Sequence, residues 1–272
     1  EISLEANPGS ADASRFAGFN TAGVTRLSVG VQSFRDHQLK RLGRIHDGAA
    51  ARVALDAARA AGFKNINIDL MYGLPEDQSG DSLSDLIEAL NYEPEHISWY
   101  QLTLEPGTAL ARNPPVLPEH DAIANEFDTG SDLLSVSGYE HYEVSAYAQP
   151  GLRAGHNLNY WQFGDYIGIG AGAHGKVTGP EGIFRSQKRR NPAAYLSQAG
   201  SPKCTKRTGP IGGADLITEF AINALRLREG FAEDLFTSRT GLERSALATA
   251  LERAEENGWI VCDAGVIRPT QR

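Results

Sequence analysis

Four short strand-like segments separated by helical patterns constrain the fold of this 272-residue chain most strongly. The segments span residues 2–5, 26–32, 65–72 and 96–103, contain β-branched and aromatic residues, and are bounded by turn residues. Two stretches between them, "GAAARVALDAARAAGF" and "SGDSLSDLIEAL", have helical periodicity. Consecutive strand–helix units predict a parallel α/β sheet that is either open or rolled into a barrel. Residues 139–148 predict one later strand.

The spacing of apolar residues also predicts which helix faces are buried. In the first helical stretch the predicted face comprises Val53, Leu55, Ala58 and Ala61, and Gly62 is predicted to end the helix. In the second stretch it comprises Leu83, Leu86, Ile87 and Leu90. The aspartates near the start of this second stretch are interpreted as a solvated helix start: Asp77, Asp81 and Asp85.

Each predicted strand carries a polar residue at its end. These residues are Glu5, Gln32, Asp69 and the pair Gln101 and Thr103. In parallel α/β folds the carboxyl ends of the strands line the ligand crevice. A single polar strand end is usually a solvated cap, but four in corresponding positions predict a ligand site.

Composition excludes several classes of function. The net charge is −8 and no Lys/Arg run exceeds three residues, which disfavours a nucleic-acid partner or an anionic membrane surface. The two cysteines, Cys204 and Cys262, have no zinc-site or disulfide-framework spacing, so a reducing, cytoplasmic compartment is expected. The 272 residues contain no membrane-spanning apolar run, nucleophile elbow, HExxH site or Walker A loop, and their first residues give no expectation of a signal peptide.

Residues 214–272 predict a second, mainly helical domain that resembles a winged helix, with three helices followed by a small hairpin. This segment contains ten acidic and seven basic residues, a net charge of −3. Phosphate neutralisation requires the opposite excess, so a packing or lid domain is expected instead of a DNA-binding one.

The stretch "HNLNYWQFGDYIGIGAGAHGK", residues 156–176, is dense in aromatic residues and glycine. Its "GAGAHG" segment matches GxGxxG, but turn-forming residues follow it where a dinucleotide site needs a helix. The glycines are instead expected to admit a bulky ligand or a neighbouring strand. A short helix would bring His156 near Tyr160 and Trp161, and imidazole is an iron ligand that aromatic rings can accompany beside a porphyrin. A hydrogen-bonded structural role for His156 is the alternative.

Several long segments together resemble one family. "EISLEANPGS", "GVTRLSVGVQSFRDHQLKRLGRIH", "NINIDLMYGLPEDQ", "HISWYQLTLEPGT" and the stretch from His156 are similar to radical S-adenosylmethionine (SAM) proteins related to oxygen-independent coproporphyrinogen III oxidase. "EFAINALRLREGF" and "RTGL" resemble the C-terminal domain of that family. The resemblance implies a partial (β/α) barrel with a heme-motif extension over residues 1–200 and a helical domain over residues 214–272.

Within that family, an HNxxYW motif distinguishes the HemW-type heme chaperones from the oxidases. His156, Asn157, Tyr160 and Trp161 match it, which implies heme binding with His156 at or beside the iron. The implied partners are heme and heme-accepting apoproteins, of which membrane-associated recipients are one option. Oxidative decarboxylation of coproporphyrinogen III, the oxidase activity, is the alternative function, and another radical enzyme or methyltransferase on the same barrel is a third.

The resemblance also assigns cofactor residues. SAM contacts carried over from the family fall on Glu5, Gln32, Arg44 and Asp69. The family's 4Fe–4S cluster needs a CxxxCxxC-type motif, which these 272 residues do not contain. The expectation is therefore that the first two βα units, with the cluster cysteines, belong to a longer protein.

A basic cluster is formed by Arg185, Lys188, Arg189 and Arg190. These side chains could meet the carboxylates of heme, and the alternative is an ordinary solvated loop.

Overall fold

A computed structural model describes residues 1–9, 15–75 and 80–270. The chain forms two compact units, one over Glu1–Ala154 and one over Gly155–Arg272. The domains predicted from the sequence, 1–200 and 214–272, have different bounds from these compact units and stay a prediction. Among the described residues, no helix combines the length and apolar composition that a membrane crossing requires.

The first unit is an α/β layer built on one six-stranded sheet. Its strands are β1 (Ser3–Ala6), β2 (Arg26–Gln32), β3 (Ile66–Tyr72), β4 (His96–Gln101), β5 (Glu140–Glu143) and β6 (Ala146–Ala148). Its helices are α1 (Phe16–Thr21), α2 (Asp36–Arg41), α3 (Gly48–Ala60), α4 (Asp81–Leu90), α5 (Ala109–Arg112) and α6 (His120–Val136). The strand order is β1-β2-β3-β4-β6-β5, and the first four strands are parallel. This confirms the predicted strand–helix units.

The prediction of one strand over residues 139–148 was wrong, because the segment folds into a hairpin. β5 and β6 pair antiparallel across a turn at residues 144–145, and β6 pairs antiparallel with β4. The hairpin buries Tyr142 and Tyr147. An antiparallel edge on an otherwise parallel sheet is a common arrangement, since a two-residue turn suffices to join its strands.

Both predicted helix faces contained one wrong residue. Val53 in α3 is 61% exposed, because it lies two positions from Leu55 and therefore on the opposite side of the helix. The buried positions of α3 include Ala51, Ala54, Leu55 and Ala58. In α4, Ile87 is 53% exposed, and the buried positions are Ser82, Asp85, Leu86 and Ala89. Leu83 and Leu90 are partly buried against the same core as Leu86, so Ile87 is the one residue of the predicted face that points to solvent.

The second unit contains two three-stranded sheets. The first sheet comprises β7 (His174–Gly179), β8 (Gly182–Lys188) and β9 (Thr205–Pro210), in that order. It follows helix α7 (Gly155–Trp161) in the sequence. Helix α8 (Pro192–Gln198) and a 3₁₀ turn at Pro202–Cys204 lie between β8 and β9. The second comprises β10 (Phe231–Ala232), β11 (Ile260–Asp263) and β12 (Val266–Pro269), in the order β10-β12-β11.

The helices of this C-terminal part are α9 (Gly213–Ala224), α10 (Glu233–Thr240) and α11 (Ala248–Glu256), with a 3₁₀ turn at Arg244–Leu247. Phe220 on α9 anchors their core, since its ring meets those of Phe163, Phe231 and Phe236 edge-on at 5.0–5.5 Å. Three helices followed by the β11–β12 hairpin match the predicted winged-helix-like arrangement.

Candidate functional site

Register places polar residues side by side across the parallel sheet. Glu5 pairs with Ser28, Ser28 with Asn67, and Asn67 with His96, which forms one row across four strands. Asp69 lies two residues along β3 from Asn67, so its side chain projects from the same face. The sequence therefore builds a polar face on a sheet whose other face is packed with apolar residues.

Asp69 is held within this face by hydrogen bonds. Ser28 Oγ donates to one carboxylate oxygen at 3.1 Å, and Asn67 Nδ2 donates to the other at 2.7 Å. Burial raises the pKa of Asp69, while the hydrogen bonds from Asn67, Ser98 and Ser28 oppose the rise. The network fixes the direction of the carboxylate.

A hydrogen-bond relay continues from Asn67 to the end of this unit. Because Asn67 Oδ1 only accepts, His96 Nδ1 must donate to it, at 2.6 Å. Burial lowers the pKa of His96 to about 3, so the ring is neutral and its Nε2 accepts from the hydroxyl of Tyr142 at 2.8 Å. Tyr142 in turn accepts from the backbone N–H of Ala154 at 3.3 Å. The relay therefore runs from Asp69 to the residue that precedes α7.

Tyr100 interacts with all four residues that are predicted to contact SAM. Its hydroxyl donates to Gln32 Oε1 in a short hydrogen bond. The pKa of Tyr100 is raised to about 12, mainly by burial and also by the charges of Asp69 and Glu5, while Arg44 and the hydrogen bond to Gln32 oppose the rise. Glu5, Gln32, Arg44 and Asp69 therefore all act electrostatically on one hydroxyl.

Sequence reasoning missed Tyr100 and selected Gln101. Side chains alternate along a strand, so Tyr100 shares a face with His96 and Ser98 whereas Gln101 points to the other side. Thr103 lies beyond the end of β4 and is exposed. The signal that could have found Tyr100 was its even spacing from Ser98 and His96.

The missing side chain of Gly30 leaves room for neighbouring polar groups. A Cβ at this position would lie 3.0 Å from Gln32 Nε2 and 3.4 Å from Asn7 Oδ1. Gln32 has a φ of 67°, a conformation uncommon for a residue with a side chain, which marks the strand end as strained. Amide, carboxylate and guanidinium groups are the partners that a ligand with amino-acid and ribose groups needs, so the residues present fit SAM.

Asp85 on α4 holds the loop that follows β2. The prediction that Asp85 belongs to a solvated helix start was therefore wrong. The Asp85 side chain is fully buried, accepts from Phe34 N at 2.9 Å and takes a short hydrogen bond from Ser33 Oγ. Burial raises the pKa of Asp85 to about 6. Asp81 is also engaged, since its carboxylate lies 2.8 Å from His37 Nε2, and Asp77 lies outside the described residues.

The HNLNYW segment forms helix α7, as predicted. His156 is exposed, and its ring meets Tyr160 edge-on with centroids 4.9 Å apart. Tyr160 meets Tyr166 edge-on at 4.6 Å. Burial, followed by Tyr166, raises the pKa of Tyr160, which disfavours the phenolate that an iron-ligating tyrosine would need.

Trp161 turns away from His156 and packs within the second unit. The guanidinium of Arg226 lies 4.3 Å from the centre of its ring. Its Nε1 is buried and has no hydrogen-bond partner among the residues that the structure describes. Asn157 is half-buried on the same helix. His156 and Trp161 are five positions apart, roughly 1.4 helical turns. Their side chains therefore leave the helix in different directions.

The glycines after α7 admit protein atoms. A Cβ at Gly164 would lie 2.0 Å from Asn159 Oδ1, and one at Gly168 would lie 2.1 Å from the carbonyl oxygen of His174. "GAGAHG" leads into strand β7 and not into a helix, which agrees with the rejection of a dinucleotide site.

A 4Fe–4S cluster does not fit the residues of this chain. Cys204 and Cys262 are the two cysteines, both free, and no group of three or more His, Cys, Asp or Glu within residues 1–9, 15–75 and 80–270 could hold a metal ion. The side chains in those ranges therefore offer no ligand set for a cluster.

Comparison with known proteins identifies the family. Residues 1–87 match the Radical SAM superfamily, and residues 213–272 match the HemN C-terminal domain. The chain is 46% identical over 265 residues to the heme chaperone HemW of Haemophilus influenzae and 45% identical over 261 residues to that of Escherichia coli. These alignments cover 97% and 96% of the chain and 68% of each relative. The chain belongs to the HemW family of radical SAM proteins.

Solved structures place this HemW-family chain in the radical SAM fold. It superimposes on the coproporphyrinogen III oxidase HemN of Escherichia coli with a TM-score of 0.76 at 20% identity, over 99% of this chain and 66% of HemN. A mouse mitochondrial protein, radical S-adenosyl methionine domain-containing protein 1, is 42% identical over 243 residues, 85% of this chain and 54% of its own length. The chain thus spans about two thirds of HemN and about half of the mouse protein.

Proposed function

We propose that this protein is a heme chaperone, which binds heme through the α7 segment and passes it to apoproteins. The observation that carries the proposal is the presentation of His156 at the surface of α7 with its ring against Tyr160, in the motif HNLNYW. Relatives at 45–46% identity are named heme chaperones, which supports it. The proposed recipients are heme-binding apoproteins, and the proposed compartment is the cytoplasm.

His156 supplies the iron contact in this proposal, and the neighbouring rings offer an apolar surface to the macrocycle. A chaperone must release its cargo, so a surface ligand suits the task better than a closed pocket. No observation favours the alternative oxidase activity, because the likeness to HemN at 20% identity concerns the fold alone.

Transfer is tested by mixing the heme-loaded chain with the apo form of a b-type heme protein and following the Soret band of the acceptor. We expect the acceptor to gain heme faster from the loaded chain than from an equal amount of free heme. A rate equal to that of free heme would contradict a chaperone role.

The polar face of the first unit is the proposed SAM site. Glu5, Gln32, Arg44 and Asp69 would hold the ligand, with the carboxylates accepting from its ammonium or ribose hydroxyls and Arg44 pairing with its carboxylate. The family implies two cofactors, SAM and a 4Fe–4S cluster, and the residues named here would hold the first of them.

Tyr100 positions Gln32 for this ligand, and calorimetric titration with SAM tests it. Replacing Tyr100 by Phe removes the donor to Gln32 Oε1, so we expect about tenfold weaker SAM binding. Gln101→Ala, on the opposite face of β4, is the matched control and should bind as the native chain does. Equal loss in both variants would mean that β4 matters only for folding.

A further inference from the structure

Five cationic side chains of the second unit surround one cavity of about 580 Å³. We call it the basic cavity; its lining comprises Lys188, Arg189, Arg190, Lys203 and Lys206, with Gln187 and Thr205. The first three are consecutive at the end of β8, and the other two come from the 3₁₀ turn and the neighbouring strand β9. Strand pairing therefore concentrates positive charge that is dispersed along the sequence.

The charge of these cations is not cancelled by the part of the chain that the structure describes. Among the described residues, no carboxylate lies within ion-pair distance of any of the five. Lys188 Nζ donates to Thr205 Oγ1 at 2.7 Å and Arg189 Nε donates to the carbonyl of Lys203 at 3.1 Å, contacts that orient the side chains without cancelling charge. In a chain of net charge −8, such a concentration of positive potential favours an anionic ligand.

Arg185, the fourth member of the predicted basic cluster, has a different environment. It forms a short ion pair with Glu219, and its Nη1 donates to Tyr166 Oη at 2.7 Å. Arg185 is thus engaged in protein contacts, and the structure separates it from Lys188, Arg189 and Arg190.

An exposed apolar loop borders the basic cavity. Ile167 and Ile169 are 80% and 84% exposed, and the chain that follows them is tied to the cavity wall. Gly172 N donates to the carbonyl of Arg189 at 2.8 Å, and Lys188 N donates to that of Ala173 at 2.8 Å. Apolar side chains beside concentrated cations make an amphipathic surface.

The same loop connects to the heme motif. Tyr166, which precedes Ile167, carries the ring that meets Tyr160, and Tyr160 meets His156. Residues 156–190 therefore carry, in order, the imidazole, the aromatic rings, the exposed isoleucines and the first three cations of the basic cavity. All of them belong to a single compact unit.

We infer that the basic cavity is the subsite for the two carboxylates of heme. Heme is a flat apolar macrocycle with an iron at its centre and two carboxylates on one edge, and the order of features just described matches that chemistry. Lys188, Arg189 and Arg190 would make charge-assisted hydrogen bonds to the carboxylates. The inference rests on the proposed heme-binding function and adds the residues that orient the ligand.

The test compares heme with its dimethyl ester, in which both carboxylates are blocked, by absorption titration of the 272-residue chain in the same detergent buffer. We expect the native chain to bind heme about tenfold more tightly than the ester. The variant Lys188→Gln/Arg189→Gln/Arg190→Gln should bind both ligands with the affinity that the native chain has for the ester. Lys40→Gln/Lys64→Gln/Arg253→Gln changes the net charge equally at exposed sites elsewhere and should keep the preference for heme.

The outcomes separate this inference from the proposed function. If the native chain binds heme and its ester equally, the carboxylate subsite is wrong while heme binding stands. If the cavity variant also loses affinity for the ester, the cations stabilise the loop instead of contacting carboxylates, and the inference is overturned. If neither ligand binds, the proposed heme function itself fails.

Discussion

The burial of some individual residues in this protein depends on contacts with residues that are distant in the sequence, which a local pattern cannot show. Asp85 illustrates this, since three aspartates at spacing four before an apolar helix are typical of a solvated start. Asp85 accepts from Ser33 and Phe34, 52 and 51 positions away, and pairs with Arg35 at 3.3 Å. Burial of the carboxylate is therefore a tertiary property, which the sequence alone could not predict.

The raised pKa of Asp85 predicts a pH dependence. An acid whose pKa is about 6 when folded and about 4 when unfolded binds its proton more tightly in the folded state, so its contribution stabilises the chain below pH 4 and is lost as pH rises through 6. Between pH 4 and 7 the unfolding free energy of the native chain should fall by about 2 kcal/mol relative to Asp85→Asn. Urea unfolding at both pH values measures this.

Parallel pH profiles for the native chain and Asp85→Asn would contradict the raised pKa. Glu119→Gln, which changes an exposed carboxylate of the same unit, is the control and should follow the native profile.

At the scale of elements, alternation along strands was predictable and register between strands was not. The strand segments and the polar residues Glu5 and Gln32 near their ends follow from short-range composition, whereas Asp69 lies in the middle of β3 and not at its predicted end. Tyr100 joins the site because β4 pairs with β3 in one register, and an aromatic residue in a buried strand is ordinarily interpreted as core. The hairpin of β5 and β6 was missed for a similar reason, since its turn contains neither Gly nor Asn.

Helix α7 depends on the turn that follows it, and Gly164 permits that turn. Gly164→Ala would place a Cβ 2.0 Å from Asn159 Oδ1 and 2.8 Å from the Asn159 carbonyl oxygen. We expect a loss of about 2 kcal/mol or more in unfolding free energy, together with weaker heme binding because the α7 end must shift. Urea unfolding followed by circular dichroism measures the stability.

Gly213→Ala is the matched control, since nothing lies within 4 Å of the added Cβ. It should leave both the unfolding midpoint and heme affinity near the native values. Equal midpoints for the two glycine variants would show that the turn accommodates a side chain.

At the scale of the whole molecule, the two sets of proposed site residues lie in different compact units. The polar sheet face lies within Glu1–Ala154, and the heme motif and the basic cavity lie within Gly155–Arg272. Overall charge pointed away from anionic partners, yet the β8–β9 pairing collects five cations at one place. The run from Lys188 to Arg190 was visible in the sequence, whereas Lys203 and Lys206 join it only through the folded arrangement of β8, the 3₁₀ turn and β9.

The most direct test of the account is a heme titration followed by visible absorption, with the native chain, His156→Ala and His120→Ala. His120 is an exposed histidine of the first unit and serves as the control. We predict saturable binding with a shifted Soret band, unchanged in His120→Ala and at least about tenfold weaker in His156→Ala. Equal heme affinity and equal spectra for all three proteins would contradict the central claim that α7 presents the iron ligand.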